Sequence, residues 1–489
     1  MNIKFDNSFA QTLKGCYTAQ SGREVPKPNL LYLNQDLAEE LGLHPDDLAS
    51  ADGTAMLAGI RFPKTARPVA QLYAGHQFGG FSHQLGDGRA LLVGELITRD
   101  GKRVDMHLKG SGPTPYSRGG DGKAALGPVL REYLMGEAMH ALNIPTSRAL
   151  AVVTTGEDVY RQTALPGAVL TRIAASHLRV GTFQYFAAQG NQDKVRQLLA
   201  YAIQRHDPDL KGAEDEAFEF FKAVMHRQIS LIAKWMAVGF IHGVMNTDNV
   251  SISGETIDYG PCAFMDRYAP DTVFSSIDHG GRYAYANQPV ITQWNMARFA
   301  EALLSLMADG NQEKAITRAT EEINSMPDQY KTAWSKEMRP KLGLHEEQPE
   351  DHTLIESLFS TMEGEEVDFT SFFRALISAI EGDDTPVKAL FNNPKQLDPW
   401  LGQWRARLER EKTSPDQQKA MMQAANPLYI PRNHLVEEAL EQAVEEENFD
   451  AFNDLLERLK QPFTPVHGQE KYAKPASLSA PPHITYCGT

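Results

Sequence analysis

The chain has 489 residues, with 48 Lys and Arg against 63 Asp and Glu and a formal charge of −15. An acidic balance of that size argues against a general nucleic-acid binder, because contact with a phosphate backbone needs a basic surface; locally clustered arginines remain able to hold a nucleotide. Three cysteines, Cys16, Cys262 and Cys487, are too few for a disulfide framework and lack zinc-ligand spacing, so a reducing cytoplasm is the expected setting. The first residues, MNIKFDNSFAQTLKGCY, lack an apolar core and carry Asp6, so no signal or transit peptide is expected. No apolar run approaches the roughly 18 residues a membrane span needs. Length suggests about two to four domains or one elaborated two-lobed fold.

Residues 1–65 read as an N-terminal extension of short helices, Asn34 to Leu41 and another from Pro45, with no evident chemistry. From Val69 the texture changes to glycine-punctuated strands, AGHQFGGFSHQLGDGRALLVGEL. Gly75, Gly79, Gly80, Gly86 and Gly88 would let the backbone approach a ligand and turn its N–H groups toward phosphate. By itself the segment is equally a pair of β-turns. A strand over Ala90 to Thr98, a turn at Arg99-Asp100-Gly101-Lys102 and a strand over Arg103 to Lys109 follow. Lys109 then stands where a kinase N-lobe keeps its phosphate-binding lysine, although a solvated lysine is the ordinary alternative. The Gly110 to Gly122 loop, GSGPTPYSRGGDG, is expected to fold over the site.

Ala124 to Asn143 reads as a helix with Leu126, Leu130, Tyr133, Leu134 and Leu142 on its apolar face. Glu132 is the candidate partner of Lys109, or else a solvated carboxylate. Strands over Arg148 to Thr155 and Gly167 to Ile173, joined by a turn at Glu157-Asp158, complete a βββαββ-like lobe over 66–175. Arg172 and Arg179 follow in TRIAASHLRVG. If that segment is helical they lie two turns apart on one face and suit a polyphosphate, whereas surface salt bridges are the commoner use of such a pair.

Residues 176–460 read as a helical lobe. A helix over Ala213 to Val238 delivers the stretch IHGVMNTDNVSISGETIDYGP, residues 241–261. It offers His242, Asn246, Asp248 and Asn249, then Asp258-Tyr259-Gly260, the layout of the metal-binding half of a kinase site. Laying His242 and Asn249 on the H-x-D-x-x-x-x-N pattern puts Val244 at the position of the base, and valine cannot accept a proton. Further helices are expected at Trp294 to Met307, His352 to Met362, Phe369 to Ile380 and Leu435 to Leu459, with Leu342 to Asp351 an exposed loop. The tail, 461–489, reads as extended, with Cys487 an exposed candidate redox group. The expected class is α+β: a protein-kinase-like two-lobed fold, with a small β-rich N-lobe containing one key helix and a large helical C-lobe.

The motifs GHQFG, LGDGRA, LKGSGPTPYSR, LREYLMGEAM, HGVMNTDN, IDYGP and NPLYIPRNHL, with a Cys near the terminus, together resemble the selenoprotein O family over nearly the whole chain. The resemblance implies transfer of AMP from ATP to Ser, Thr or Tyr hydroxyls of proteins, with pyrophosphate released and UTP an alternative donor. It also implies a nucleotide turned end for end relative to kinases. Lys109, Arg172 and Arg179 would then surround the terminal phosphate, with Glu132 positioning Lys109. Gly86, Gly88, Arg89, Asp121 and Gly122 would hold the rest of the nucleotide. Asn249 and Asp258 would bind Mg²⁺ or Mn²⁺, and Asp258 would also face the nucleotide. Asp248 would accept the acceptor's proton. Cys262 and Cys487 are candidates for an oxidation-dependent pair. ATP and protein substrates are the expected partners, with no nucleic acid and no membrane. Two other readings compete: a kinase transferring the γ-phosphoryl group, against which Val244 counts, and a silent nucleotide-binding scaffold, against which Asn249 and Asp258 count.

Overall fold

The computed structural model describes residues 3–486 and shows a mixed α/β protein whose sheet is mostly antiparallel. The strands are β1 (Tyr17–Ala19), β2 (Asn29–Leu33), β3 (Val69–Gln77), β4 (Gly80–Gly86), β5 (Ala90–Ile97), β6 (Arg103–Lys109), β7 (Ala124–Ala125), β8 (Arg148–Tyr160) and β9 (Ala164–Ala174). They run in the order β1-β3-β5-β6-β9-β8-β2, with β4 on β3 and β7 on β9. Residues 1–65 therefore supply both end strands of that path. They also supply a cover: Leu37, Leu41, Leu48, Met56 and Leu57 pack with Val93, Met106, Leu108 and Val169 in one buried cluster.

That cover explains why β5 is buried along nearly its whole length and why β6 has no wet face. Met106 and Leu108 point into the cluster with the N-terminal helices, and the alternation of a strand sends Asp105, His107 and Lys109 the other way. His107 and Arg172 are cross-strand partners on β6 and β9.

Helix α1 (Leu126–Ala141) packs its apolar residues between the sheet and the helical half. Helix α2 (Val180–Ala188) follows β9 after a short loop. Helix α3 (Glu216–Val238) is capped at its start by Asp215, whose side chain accepts from Phe218 N, and is stopped by Gly239 in the left-handed conformation at φ 73°. The chain then enters β10 (Phe240–Ile241), which pairs with β11 (Ala263–Phe264). Both ends of the 241–261 stretch are thus pinned in one ladder, and the polar residues between them are presented as a braced loop. Helix α4 (Gln288–Leu303) supports that loop from below, with Asn295 Nδ2 donating to the Met245 carbonyl at 3.0 Å.

Several expectations are corrected. Arg172 and Arg179 do not share a helix: Arg172 lies on β9 and Arg179 is the extended N-cap of α2, because β9 continues to Ala174. Glu157 and Asp158 are not a turn but part of β8, where Gly156 at φ 71° absorbs a register shift; the hairpin turns after Tyr160. The expected Leu435 to Leu459 helix is two, Asn433–Glu445 and Asp450–Leu459. The Leu342 to Asp351 loop is anchored, with Leu342, Leu344 and Asp351 buried and Arg407 paired to Asp351 at 2.6 Å. A helix over Gln312–Lys341 was not anticipated, since Pro327 and Pro340 lie within it.

Candidate functional site

Between the sheet and the 241–261 loop lies a cleft of about 830 Å³, lined by residues of both. At its base Lys109 Nζ meets Glu132 Oε2 at 2.5 Å and Asp258 Oδ1 at 2.9 Å. Arg172 Nη1 lies 3.2 Å from Glu132 Oε1 and 3.2 Å from Asp258 Oδ1. Arg179 Nη1 reaches Asp258 Oδ2 at 3.4 Å and donates to the Asp248 carbonyl at 2.8 Å. Three cations from a strand end, a strand interior and a helix cap therefore converge on one carboxylate. Asp258 is held there in the left-handed region, at φ 62°, a conformation Asp tolerates better than most side chains and that concentrates at functional sites.

The electrostatics follow from that crowding. Burial pushes the Asp258 carboxyl up, but Lys109, Arg172 and Arg179 outweigh it and hold the group well below the usual carboxylate range. Glu132 is likewise lowered, with burial opposed by Lys109 and Arg172. Lys109, Arg172 and Arg179 line the cleft with N–H donors suited to an anion, although Glu132, Asp258 and Asp87 already balance their charge.

Asp248 behaves in the opposite way. Burial pushes its carboxyl up to about 6, against the pull of Arg179. Its Oδ2 accepts from Gln77 Nε2 at 3.2 Å, while Oδ1 is buried without a hydrogen-bond partner. Such a carboxylate has a vacant acceptor site and a proton affinity close to neutrality.

The β3–β4 glycines divide in use. Gly86 and Gly88 line the cleft with Arg89, Asp121 and Gly122. Gly75 instead makes room for the catalytic-type loop: a Cβ there would stand 2.6 Å from Asp248 Oδ1. The hairpin also grips that loop. His76 N donates to Thr247 Oγ1 at 2.7 Å and Phe78 N to Asn246 Oδ1 at 3.0 Å. Asp121 is exposed at the rim, where Arg161 pairs with it at 2.8 Å. His242 is structural, its Nε2 within 2.9 Å of the Ile257 carbonyl.

Sequence reasoning missed a buried support behind the cations. Arg172 can only donate, so His107 Nδ1, at 3.0 Å from Arg172 Nη2, must accept; Nε2 then carries the hydrogen and donates to Asp87 Oδ2 at 3.1 Å. Burial lowers the His107 pKa, reinforced by Arg172 and opposed by Asp87, which favours this neutral form. Asp87 in turn stands 3.9 Å from Arg179. Tyr73 lies under the Arg179 guanidinium, 4.6 Å from its ring centroid. The available signal was the alternation itself, which sets Asp105, His107 and Lys109 on one face of β6.

Asn249 and Asp258 are the cleft-lining oxygen donors that could hold a divalent ion. Asn249 donates Nδ2 to the Val244 carbonyl at 3.1 Å, which turns Oδ1 away from that bond, and Asp258 is ionised. Among the described residues no group of three or more His, Cys, Asp or Glu side chains is arranged for a metal. Amide and carboxylate oxygens fit Mg²⁺ or Mn²⁺, which typically complete their shell with substrate phosphates.

The family described as Protein adenylyltransferase SelO matches residues 1–460. The chain belongs to the SelO family. Curated SelO relatives span it end to end. A Protein nucleotidyltransferase YdiU of Cereibacter sphaeroides (strain KD131) is 53% identical over 491 residues, covering 100% of both chains. The protein of that name from Rhizobium leguminosarum bv. trifolii is 52% identical over 488 residues, 99% of this chain and 97% of the relative. The one from Mycobacterium sp. (strain KMS) is 52% identical over 489 residues, again 100% of both.

In the tail, Cys487 lies outside the described residues. Thr485 Oγ1 donates to the Pro261 carbonyl at 2.8 Å, beside Cys262. Cys262 itself is fully buried and its thiol is pushed up to about 12 by burial, so in this state it is not a reactive thiolate. No helix among the described residues is long and apolar enough to cross a membrane.

Proposed function

We propose that this chain transfers AMP from ATP, with UTP an alternative donor, to Ser, Thr or Tyr hydroxyls of proteins and releases pyrophosphate. The observation that carries the reading is the convergence of Lys109, Arg172 and Arg179 on Asp258 beside an Asp248 carboxyl raised to about 6. Residues 66–175 act as the small lobe and 176–460 as the helical lobe of a protein-kinase-like fold. Residues 1–65 are its cover and 461–489 its tail, and a reducing cytoplasm is its setting.

In this reading Lys109, Arg172 and Arg179 take the terminal phosphates, with Glu132 holding Lys109 in place. Gly86, Gly88, Arg89, Asp121 and Gly122 hold the remainder of the nucleotide. Asn249 and Asp258 would hold Mg²⁺ or Mn²⁺, which supplies charge neutralisation at the phosphates. Asp248 accepts the proton of the acceptor hydroxyl as its oxygen bonds to the α-phosphorus. The bond from that phosphorus to the bridging oxygen breaks, and pyrophosphate leaves with its charge met by the three cations. Val244, at the kinase base position, takes no part.

Incubating the protein with a protein acceptor and ATP labelled at either the α- or the γ-phosphate tests this. Label from the α-position on the acceptor is expected. Label only from the γ-position would assign a kinase, and label from neither a scaffold.

A further inference from the structure

The β3–β4 tip that grips the Asp248 loop also touches a cation the transfer step does not use. Phe78, at the tip, lies 5.1 Å ring to ring from Tyr283, whose hydroxyl donates to Asn246 Oδ1 at 2.6 Å. The next residue in the tip, Gly79, has the Arg282 guanidinium 3.7 Å from where its Cβ would be. Arg282 stacks on Trp294 of α4, its guanidinium carbon 4.8 Å from the ring centroid and 5.7 Å from that of Tyr283. Arg298 lies over the same indole at 5.2 Å.

The two arginines differ in their counter-ions. Arg298 is paired with Glu301 at 2.6 Å. Arg282 has no carboxylate within salt-bridge distance among the described residues, and its Nε is buried without a partner. Asp278, the acid nearest in sequence, turns its two oxygens to the backbone N–H groups of Arg282 and Tyr283, at 2.9 and 2.8 Å. A guanidinium held over a tryptophan ring has little side-chain freedom left to lose on binding a carboxylate. Phe78, in the same tip as Gly79, and Ile277 are 38% and 49% exposed and line the mouth of the cleft that holds Asp248.

In a chain of charge −15 this is a local cation beside the β3–β4 tip, whose Phe78 lines the mouth of the cleft that holds Asp248. We propose that Arg282, over Trp294 and against the β3–β4 tip, docks an acidic side chain of the protein substrate, so that acceptors are selected by an Asp or Glu near the modified hydroxyl. This rests on the adenylyl-transfer reading and adds the class of acceptor sequence.

Two readouts keep the claims separable. Fluorescent Ser-, Thr- and Tyr-centred peptides flanked by Asp, Ala or Lys are titrated with the full-length protein, and the same peptides are offered with α-labelled ATP. Asp-flanked peptides should bind about five- to ten-fold more tightly than Lys-flanked ones, a preference that R282K largely keeps and R282E inverts. Equal binding of Asp and Lys peptides to the native protein would overturn the proposal without any variant. So would a preference unchanged in R282E, or an R282E effect confined to the KM for ATP. Asp-selective binding without transfer of α-label would instead refute adenylyl transfer and leave the docking point standing.

Discussion

Replacing Asp248 by Asn tests whether one buried carboxylate is both a liability to the fold and the proton acceptor. Its pKa is raised from 3.8 to about 6, chiefly by burial. Native protein therefore binds this proton more tightly than the unfolded chain does. The charge penalty is absent at pH values below 3.8 and fully present above about 6. At roughly 1.4 kcal/mol per pH unit, ionised Asp248 costs the native state about 3 kcal/mol at neutral pH. D248N carries no such charge, so its stability relative to the native sequence should improve by about 2 kcal/mol between about pH 4.5 and pH 8. Comparing pH values cancels whatever the amide gains or loses in packing. Urea unfolding of both proteins at several pH values reads this directly. In the same samples D248N should turn over about 10²–10⁴-fold more slowly, and the native kcat/KM should fall about tenfold per unit below pH 6. A stability difference independent of pH would refute the buried-charge account, and a flat acid limb would refute the assignment of the base.

Three further outcomes follow from the same geometry. Asp258→Ala should abolish transfer more completely than Asp248→Ala, and should destabilise the nucleotide-free protein by about 3–5 kcal/mol in urea, because Lys109, Arg172 and Arg179 lose their shared carboxylate. Equal and total loss in both variants would contradict the ranking. Gly75→Ala places a methyl 2.6 Å from Asp248 Oδ1 and should lower kcat by about 10²-fold with the KM for ATP little changed; a matching rise in KM would mean that the hairpin serves the nucleotide directly. His107→Phe removes the acceptor of Arg172 and the donor to Asp87, so the KM for ATP should rise about tenfold or more in a pyrophosphate-release assay, with the acid limb at Asp248 in place.

Much of the site was legible because its chemistry sits in short motifs. LKGSGP marks the end of a strand, and so placed Lys109; HGVMNTDN and IDYGP placed Asn249 and Asp258. What escaped was set by contacts distant in sequence. Nothing local to β6 shows that residues 1–65 cover its far side, so the sequence did not single out His107 and Asp105, which are 0% and 1% exposed. Arg172 and Arg179 were singled out as a pair, and their meeting point depends on β9 running on to Ala174 and on the chain turning into α2 at Arg179. The Gln312–Lys341 helix was hidden by Pro327 and Pro340, whose local penalty is outweighed by packing of Ala315, Ala319, Met326, Trp334 and Met338. Gln77 gave no local signal at all, since its role is defined only by Asp248, which lies on the opposite wall of the cleft.

The orientation of the nucleotide is the central claim, and a structure of the protein with a non-hydrolysable ATP analogue and Mg²⁺ tests it most directly. The account predicts the γ-phosphate against Lys109, Arg172 and Arg179, with the α-phosphorus turned toward Asp248. A γ-phosphate facing Asp248, with the α-phosphate buried among the three cations, would contradict it.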